Sequence, residues 1–167
     1  MSNSLYAASQ ICICKPMDDE IESICGITRE RALRIDEVNL YERLGEPAFA
    51  KLSTEFYSRV FNDDEKWFRN IFKNSTIEEA IQNQMEFFMQ RLGGPPRYSQ
   101  RKGHPALIAR HMPFNMSRKA ADRWVYHMQA ALAVTSEIDE DSRGRMLDFF
   151  THTAYFLHLG CTARQRS

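Results

Sequence analysis

The stretch from Gly93 to Ser117, "GGPPRYSQRKGHPALIARHMPFNMS", constrains the fold more than any other. Pro95, Pro96, Pro105 and Pro113 each lack a backbone N–H and clash with the preceding turn, so no continuous helix can run through it. Gly93, Gly94 and Gly103 add positions where the backbone is free to turn sharply. The segments on both sides read as helix. The chain is therefore expected to form helical blocks separated by a long irregular connection, and a connection of that length inside a domain is usually functional.

Helix signals flank it with no alternating strand pattern between them. Asp36 reads as the N-cap of a short helix "EVNLYERLG" ending at Gly45, and Pro47 opens "PAFAKLSTEFYSRVF". At 100° per residue, the apolar positions Ala48, Phe49, Leu52, Phe56, Tyr57, Val60 and Phe61 spread over roughly 220° of that helix. This exceeds the stripe of a surface helix, so the helix is expected to touch two things. Ser75 with Glu78, or Thr76 with Glu79, forms a capping box before "IEEAIQNQMEFFMQRL". Ser117 caps "RKAADRWVYHMQAALAV", and Asp139 or Asp141 starts a last helix running to about Gly160. The fold class expected is all-α.

Lys plus Arg and Asp plus Glu are both 22, which argues against a nucleic-acid partner. No apolar run is long enough to cross a membrane. The length suits one domain, read as 36–162, with a mobile extension over 1–35 and a tail over 163–167. The acids Asp18, Asp19 and Glu20 argue against a transit peptide. Cys12, Cys14, Cys25 and Cys161 are placed outside the core, in no zinc-like spacing; they read as free thiols of a reducing, cytoplasmic environment. Eleven Phe, eight Met, six Tyr and two Trp suit an ordinary core, or a chain that wraps a large flat ligand.

Gln84 falls inside the apolar arc formed by Ile77, Ile81, Met85, Phe88 and Leu92, an arc that Ala80 and Phe87 extend. A buried amide costs a few kcal/mol unless it finds partners, on the order of 2–7 by transfer scales. Gln84 is either bonded to nearby backbone or faces a ligand. Tyr57 and Trp124 likewise bring an O–H and an indole N–H inward from apolar faces. His152 points away from its apolar face, and His127 and His158 lie at the edges of theirs, so these three read as surface residues. His104, before Pro105, favours extended backbone ahead of the turn "PALIARH". His111 ends that turn, where its Nδ1–H can reach the Leu107 carbonyl one turn back and leave Nε2 for a metal. One histidine is a poor zinc site but is enough for haem, whose macrocycle supplies four nitrogens.

The segments "TEFYSRVF", "WFRNIF", "EEAIQNQMEFFMQRLGGPPRYSQRKGHPALIARHMPF", "ADRWVYHM" and "THTAYFLHLG" resemble a truncated haemoglobin of the second group, in its plant-type form. The resemblance runs from about Asp36 to Gly160 and implies a two-over-two helical sandwich around haem b with a long proximal loop. It implies His111 as the iron ligand, with His104 a loop residue. Tyr57, Gln84 and Trp124 match the residues facing a bound diatomic ligand, with Ala80 one turn before Gln84 where other globins carry histidine. Phe72 matches the aromatic on the haem face, Phe87, Phe88 and Phe114 its apolar walls, and Arg110 and Tyr98 the propionate contacts. The early turn "LGEP" departs from the Gly-Gly common in the family.

The function so implied is reversible binding of O2, and of NO and CO, with slow release. The alternative is turnover of NO or peroxide with a cellular reductase, since the chain has no G-x-G-x-x-G motif of its own. A haem-free helical interaction module is the third reading. Either a monomer or a homodimer is compatible with all three.

Overall fold

Five of the described helices, among them three of the four that build the core, begin where a short polar side chain accepts an orphan backbone N–H. In a computed structural model describing residues 11–166, ten α-helices follow one another: α1 (Ile11–Cys25), α2 (Arg29–Leu33), α3 (Leu40–Leu44), α4 (Glu46–Phe61), α5 (Lys66–Arg69), α6 (Ile77–Arg91), α7 (Arg97–Lys102), α8 (Leu107–His111), α9 (Arg118–Val134) and α10 (Glu140–Gln165). Two 3₁₀ turns, Arg34–Glu37 and Asn70–Phe72, complete the described elements. Thr76 accepts from the Glu79 N–H at 3.2 Å, Ser117 from Ala120 at 3.2 Å, and Asp139 from Ser142 at 2.9 Å. Asp36 is not the cap of α3, as the sequence suggested; it lies in the 3₁₀ turn, and Asn39 accepts from the Glu42 N–H at 3.0 Å instead.

The four long helices pair off. α4 packs across α6, α9 along α10, and α4 also crosses α9, giving the two-over-two arrangement. The core lies where the pairs meet. Phe49, Leu52, Phe56 and Val60 of α4 recur at three- and four-residue spacing, and bury against Phe88 and Met89 of α6, Met128 and Leu132 of α9, and Met146 and Phe150 of α10.

The chain leaves α6 through a close approach that only glycine permits. Gly93 has φ 101°, and its backbone lies against the Asn39 side chain. A Cβ on Gly94 would stand 2.7–2.8 Å from the Tyr41 ring and the Met89 carbonyl oxygen. The Tyr41 N–H closes the corner by donating to the Leu92 carbonyl at 2.9 Å.

Four further expectations are corrected. The connection over 93–117 holds two helical pieces rather than one, because Pro95 and Pro96 start α7 as readily as Pro105 precedes α8. The tail expected from residue 163 continues α10 to Gln165. The described part of the segment read as a mobile extension is docked: Ile21 is 0% exposed and packs with Ala121, Ala154 and Tyr155, and Ala32 and Ile35 are also buried, while residues 1–10 lie outside the described residues. Pro16 stands inside α1, and a proline in that place argues against a helix when only the sequence is read. Cys161, expected outside the core, is buried, whereas Cys25 is half-buried; the side chains of Cys12 and Cys14 lie outside the described residues. No described helix is long and apolar enough to cross a membrane.

Docking of α1 sets the first expected outcome. Ile21→Ala should destabilise the chain by about 2–5 kcal/mol, the usual cost of emptying a fully buried aliphatic site, read from the urea midpoint; an unchanged midpoint would contradict the docked helix.

Candidate functional site

The faces of α4, α6 and α9 converge on a set of half-buried rings. Tyr57 stands edge-on to Phe56 at 5.0 Å and to Phe72 at 6.0 Å, and Phe56 also meets Trp124 at 5.1 Å. Tyr57 and Trp124 are thus one ring apart. Both, with Phe61, Phe72, Met85 and Phe87, are partly buried and pack against the core. Burial pushes the Tyr57 phenol well above its ordinary range, so it stays protonated and able to donate. Gln84 is 9% exposed, and its amide oxygen has no hydrogen-bond partner among the described residues. An amide buried this way is costly, and rotation of its terminal group exchanges oxygen and nitrogen. Ala80, one turn earlier, is buried and offers no side chain to partner it. Phe88 turns away into the core, stacked on Phe150 at 4.4 Å.

His111 belongs to a second contact set, built by the proline-rich connection. Its Nδ1–H donates to the Leu107 carbonyl at 2.7 Å, the bond expected from sequence. Burial lowers the ring's pKa, opposed by that carbonyl, so the imidazole is neutral near pH 7 and Nε2 carries a free lone pair. Phe114 stands edge-on to His111 at 6.3 Å and is 39% exposed. His104 works on the backbone: its Nδ1 accepts the Ala106 N–H at 3.0 Å, where Ala106 takes the left-handed φ of 39° that starts α8.

Elements beyond α8 hold this turn in place. Gly160 of α10 admits the Ile108 side chain, which would lie 2.6 Å from a Cβ there, and His158 Nδ1–H donates to the Met116 carbonyl at 2.7 Å. On the other flank, α7 is tied to α6. Arg101 grips the buried Glu86 at 2.9 and 2.7 Å, and Gln90 and Ser99 exchange two hydrogen bonds. Tyr98 packs edge-on to Phe87, under the Arg110 guanidinium. Arg110 itself donates through Nε and Nη2 to the His104 carbonyl, and through Nη2 to that of Lys102. Those bonds commit most of its donors to the loop rather than to an outside anion.

The other histidines are not the surface residues that their helix edges suggested. His127 is buried on the carboxylate of Asp63, which also takes two 2.8 Å bonds from Arg123. The Arg123 guanidinium holds the Asp63 carboxyl well below the usual carboxylate range despite burial. His158 is bonded as above, and His152 is mostly buried beneath α1, 4.0 Å from Asp18. Neither Asp63 nor Glu86 stood out in the sequence: one lies in a turn and the other on a nominally polar arc. Only the pairing of a buried acid with a distant arginine could have marked them.

Residues 39–156 match the family model of the bacterial-like globins. The chain is 54% identical over 144 residues to two-on-two hemoglobin-3 of Arabidopsis thaliana, covering 86% of this chain and 82% of that one. It is 51% identical over 142 residues to group 2 truncated hemoglobin 3-1 of Lotus japonicus, covering 85% and 84%. The chain belongs to the group 2 truncated haemoglobins. Its fold is similar to the solved truncated oxygen-avid haemoglobin of Bacillus subtilis, with TM-score 0.64 and 32% identity over 70% of this chain and 96% of that one. A globin implies a haem group and diatomic gases such as O2 as ligands. The residues fit such a group: a neutral His111 whose Nδ1–H is held by the Leu107 carbonyl, a buried Gln84 whose amide oxygen has no partner among the described residues, a protonated Tyr57 phenol, and partly buried aromatic rings.

The Glu86–Arg101 pair gives the globin's loop an acid dependence. Burial alone would raise the Glu86 pKa, but the bonds from Arg101 and Gln82 outweigh it and hold the carboxyl below its ordinary 4.5. A group depressed on folding contributes stability that is complete above the ordinary value and is lost as pH falls through the folded one. Protection factors of the α7 amides, which are corrected for the intrinsic pH dependence of exchange, should therefore fall more steeply between about pH 5 and 3 in the parent than in Glu86→Gln. Equal slopes would mean that the pair does not hold the loop.

Proposed function

We propose that this globin holds haem b through His111 Nε2 and binds O2 reversibly with slow release, with NO and CO as further ligands of the same site. The observation that carries the reading is the locked, neutral His111 ring, because a ligand to haem iron must present an unprotonated nitrogen in a fixed direction. Ferrous haem, when bound, would supply the iron that takes up a diatomic gas. The chain's own residues determine how long that gas stays.

Tyr57 O–H, the Gln84 amide and Trp124 N–H are the donors proposed to meet the ligand. Tyr57 and Trp124 sit among aromatic rings and Gln84 is buried, and in such surroundings a hydrogen bond to a partly charged acceptor is stronger than in water. Ala80 leaves room for them, and Phe72 and Phe87 form the apolar faces. The oxygen avidity named for the Bacillus subtilis relative supports the same direction of effect here. Tyr98 is proposed at the propionate side; Arg110 is proposed there only through the donor that the loop carbonyls leave over.

Two variants separate the histidines. His111→Ala should abolish or greatly weaken the Soret band of the protein purified with haem supplied. His104→Ala should keep iron ligation and lose only the cap on Ala106. The reverse pattern would assign the ligand to the wrong residue. Replacing Tyr57 by Phe should speed O2 dissociation by roughly 5–150-fold, the equivalent of about 1–3 kcal/mol for one buried donor. Release from the parent as fast as from that variant would remove the slow-release reading.

A further inference from the structure

Asp63 follows α4, six residues beyond Tyr57, and its side chain reaches across to α9 on both sides of Trp124. It is 3% exposed. Its carboxylate accepts Arg123 Nη2 and Nε at 2.8 Å each, pairs with His127 Nε2, and accepts the Glu65 N–H at 2.7 Å. Its backbone carbonyl accepts from Arg69. Arg123 immediately precedes Trp124, and His127 follows three residues later on the same helix.

The contacts close into a circuit. The His127 ring stacks on Phe68 at 5.7 Å, Phe68 meets Phe72 at 5.5 Å, and Phe72 meets Tyr57 at 6.0 Å. In the other direction, Trp124 reaches Tyr57 through Phe56. A buried ion pair contributes little net stability over apolar residues of the same volume, but it fixes direction and register where apolar packing tolerates sliding. The ion pair therefore serves the circuit by setting geometry.

We infer that Asp63 is a positioning residue for ligand binding: by anchoring Arg123 and His127 it fixes the Trp124 indole N–H relative to the Tyr57 hydroxyl. The inference rests on the proposed role of those two donors. The turn after α4 thus sets the release rate without touching the ligand.

The test compares Asp63→Asn in the full chain loaded with haem, alone and in a Tyr57→Phe/Trp124→Phe background. Expected in the parent background are an unchanged Soret band, a shifted or broadened C–O stretch in the ferrous CO complex, and O2 release faster by about 5-fold or more. In the donorless background, Asp63→Asn should change the rate by less than about 2-fold, because coupled residues lose their interaction energy together. An equal acceleration in both backgrounds, or none in either, overturns the proposal. Should Asp63→Asn fail to fold, Arg123→Lys, which keeps the charge and loses the two-pronged contact, is read in the same way. The Trp124 indole N–H resonance in haem-free protein, assigned through Trp124→Phe, gives a readout independent of haem. It should move in the Asp63 or Arg123 variant; an unmoved resonance overturns the positioning role even if the haem reading itself fails.

Discussion

The approach of the Gly93–Gly94 backbone to Asn39, Tyr41 and the Met89 carbonyl determines where every later element lies. A side chain at Gly94 would collide with the Tyr41 ring and with main chain, and main chain cannot move aside. The corner ends α6 and sends the chain into the proline-broken connection. That connection is short of regular backbone bonding, so it is held from outside: by Glu86 and Gln90 of α6 on one flank, by Gly160 and His158 of α10 on the other. The His111 ring is oriented at the end of this series of constraints. Its direction is a property of the whole domain rather than of a local turn.

Much of this was legible in the residues. Caps at Thr76, Ser117 and Asp139 follow from Ser, Thr and Asp preceding apolar periodic runs. Gln84 declared itself by sitting on an apolar arc, and it is buried with an unpartnered oxygen. The His111–Leu107 bond followed from one-turn spacing and the proline beyond. Local geometry carries such readings, because donor and acceptor lie within four residues of each other.

What could not be read was non-local. Asp63 and Arg123 are 60 residues apart, and Arg101 meets Glu86 across the Gly-Pro corner. No single-helix wheel relates them: Glu86 falls on the polar arc of its helix and His127 at the edge of an apolar face. The N-terminal helix was missed for a related reason. Its burial depends on a complementary face of α10, which has little amphipathic character of its own because it is covered on several sides: by α9, by α1 and α2, and by α8.

That last helix has a consequence for the molecule in solution. α10 spans 26 residues, about 39 Å at 1.5 Å per residue, and α1 covers the stretch of it carrying Ala154 and Tyr155, beside Ala121 of α9. A chain processed to begin after Cys25 would keep the Gly-Pro corner and the His111 turn. It would also present a continuous apolar strip to water, and strips of that kind drive self-association. The N-terminal helix therefore acts as a built-in cover for the patch formed by Ala121, Ala154 and Tyr155.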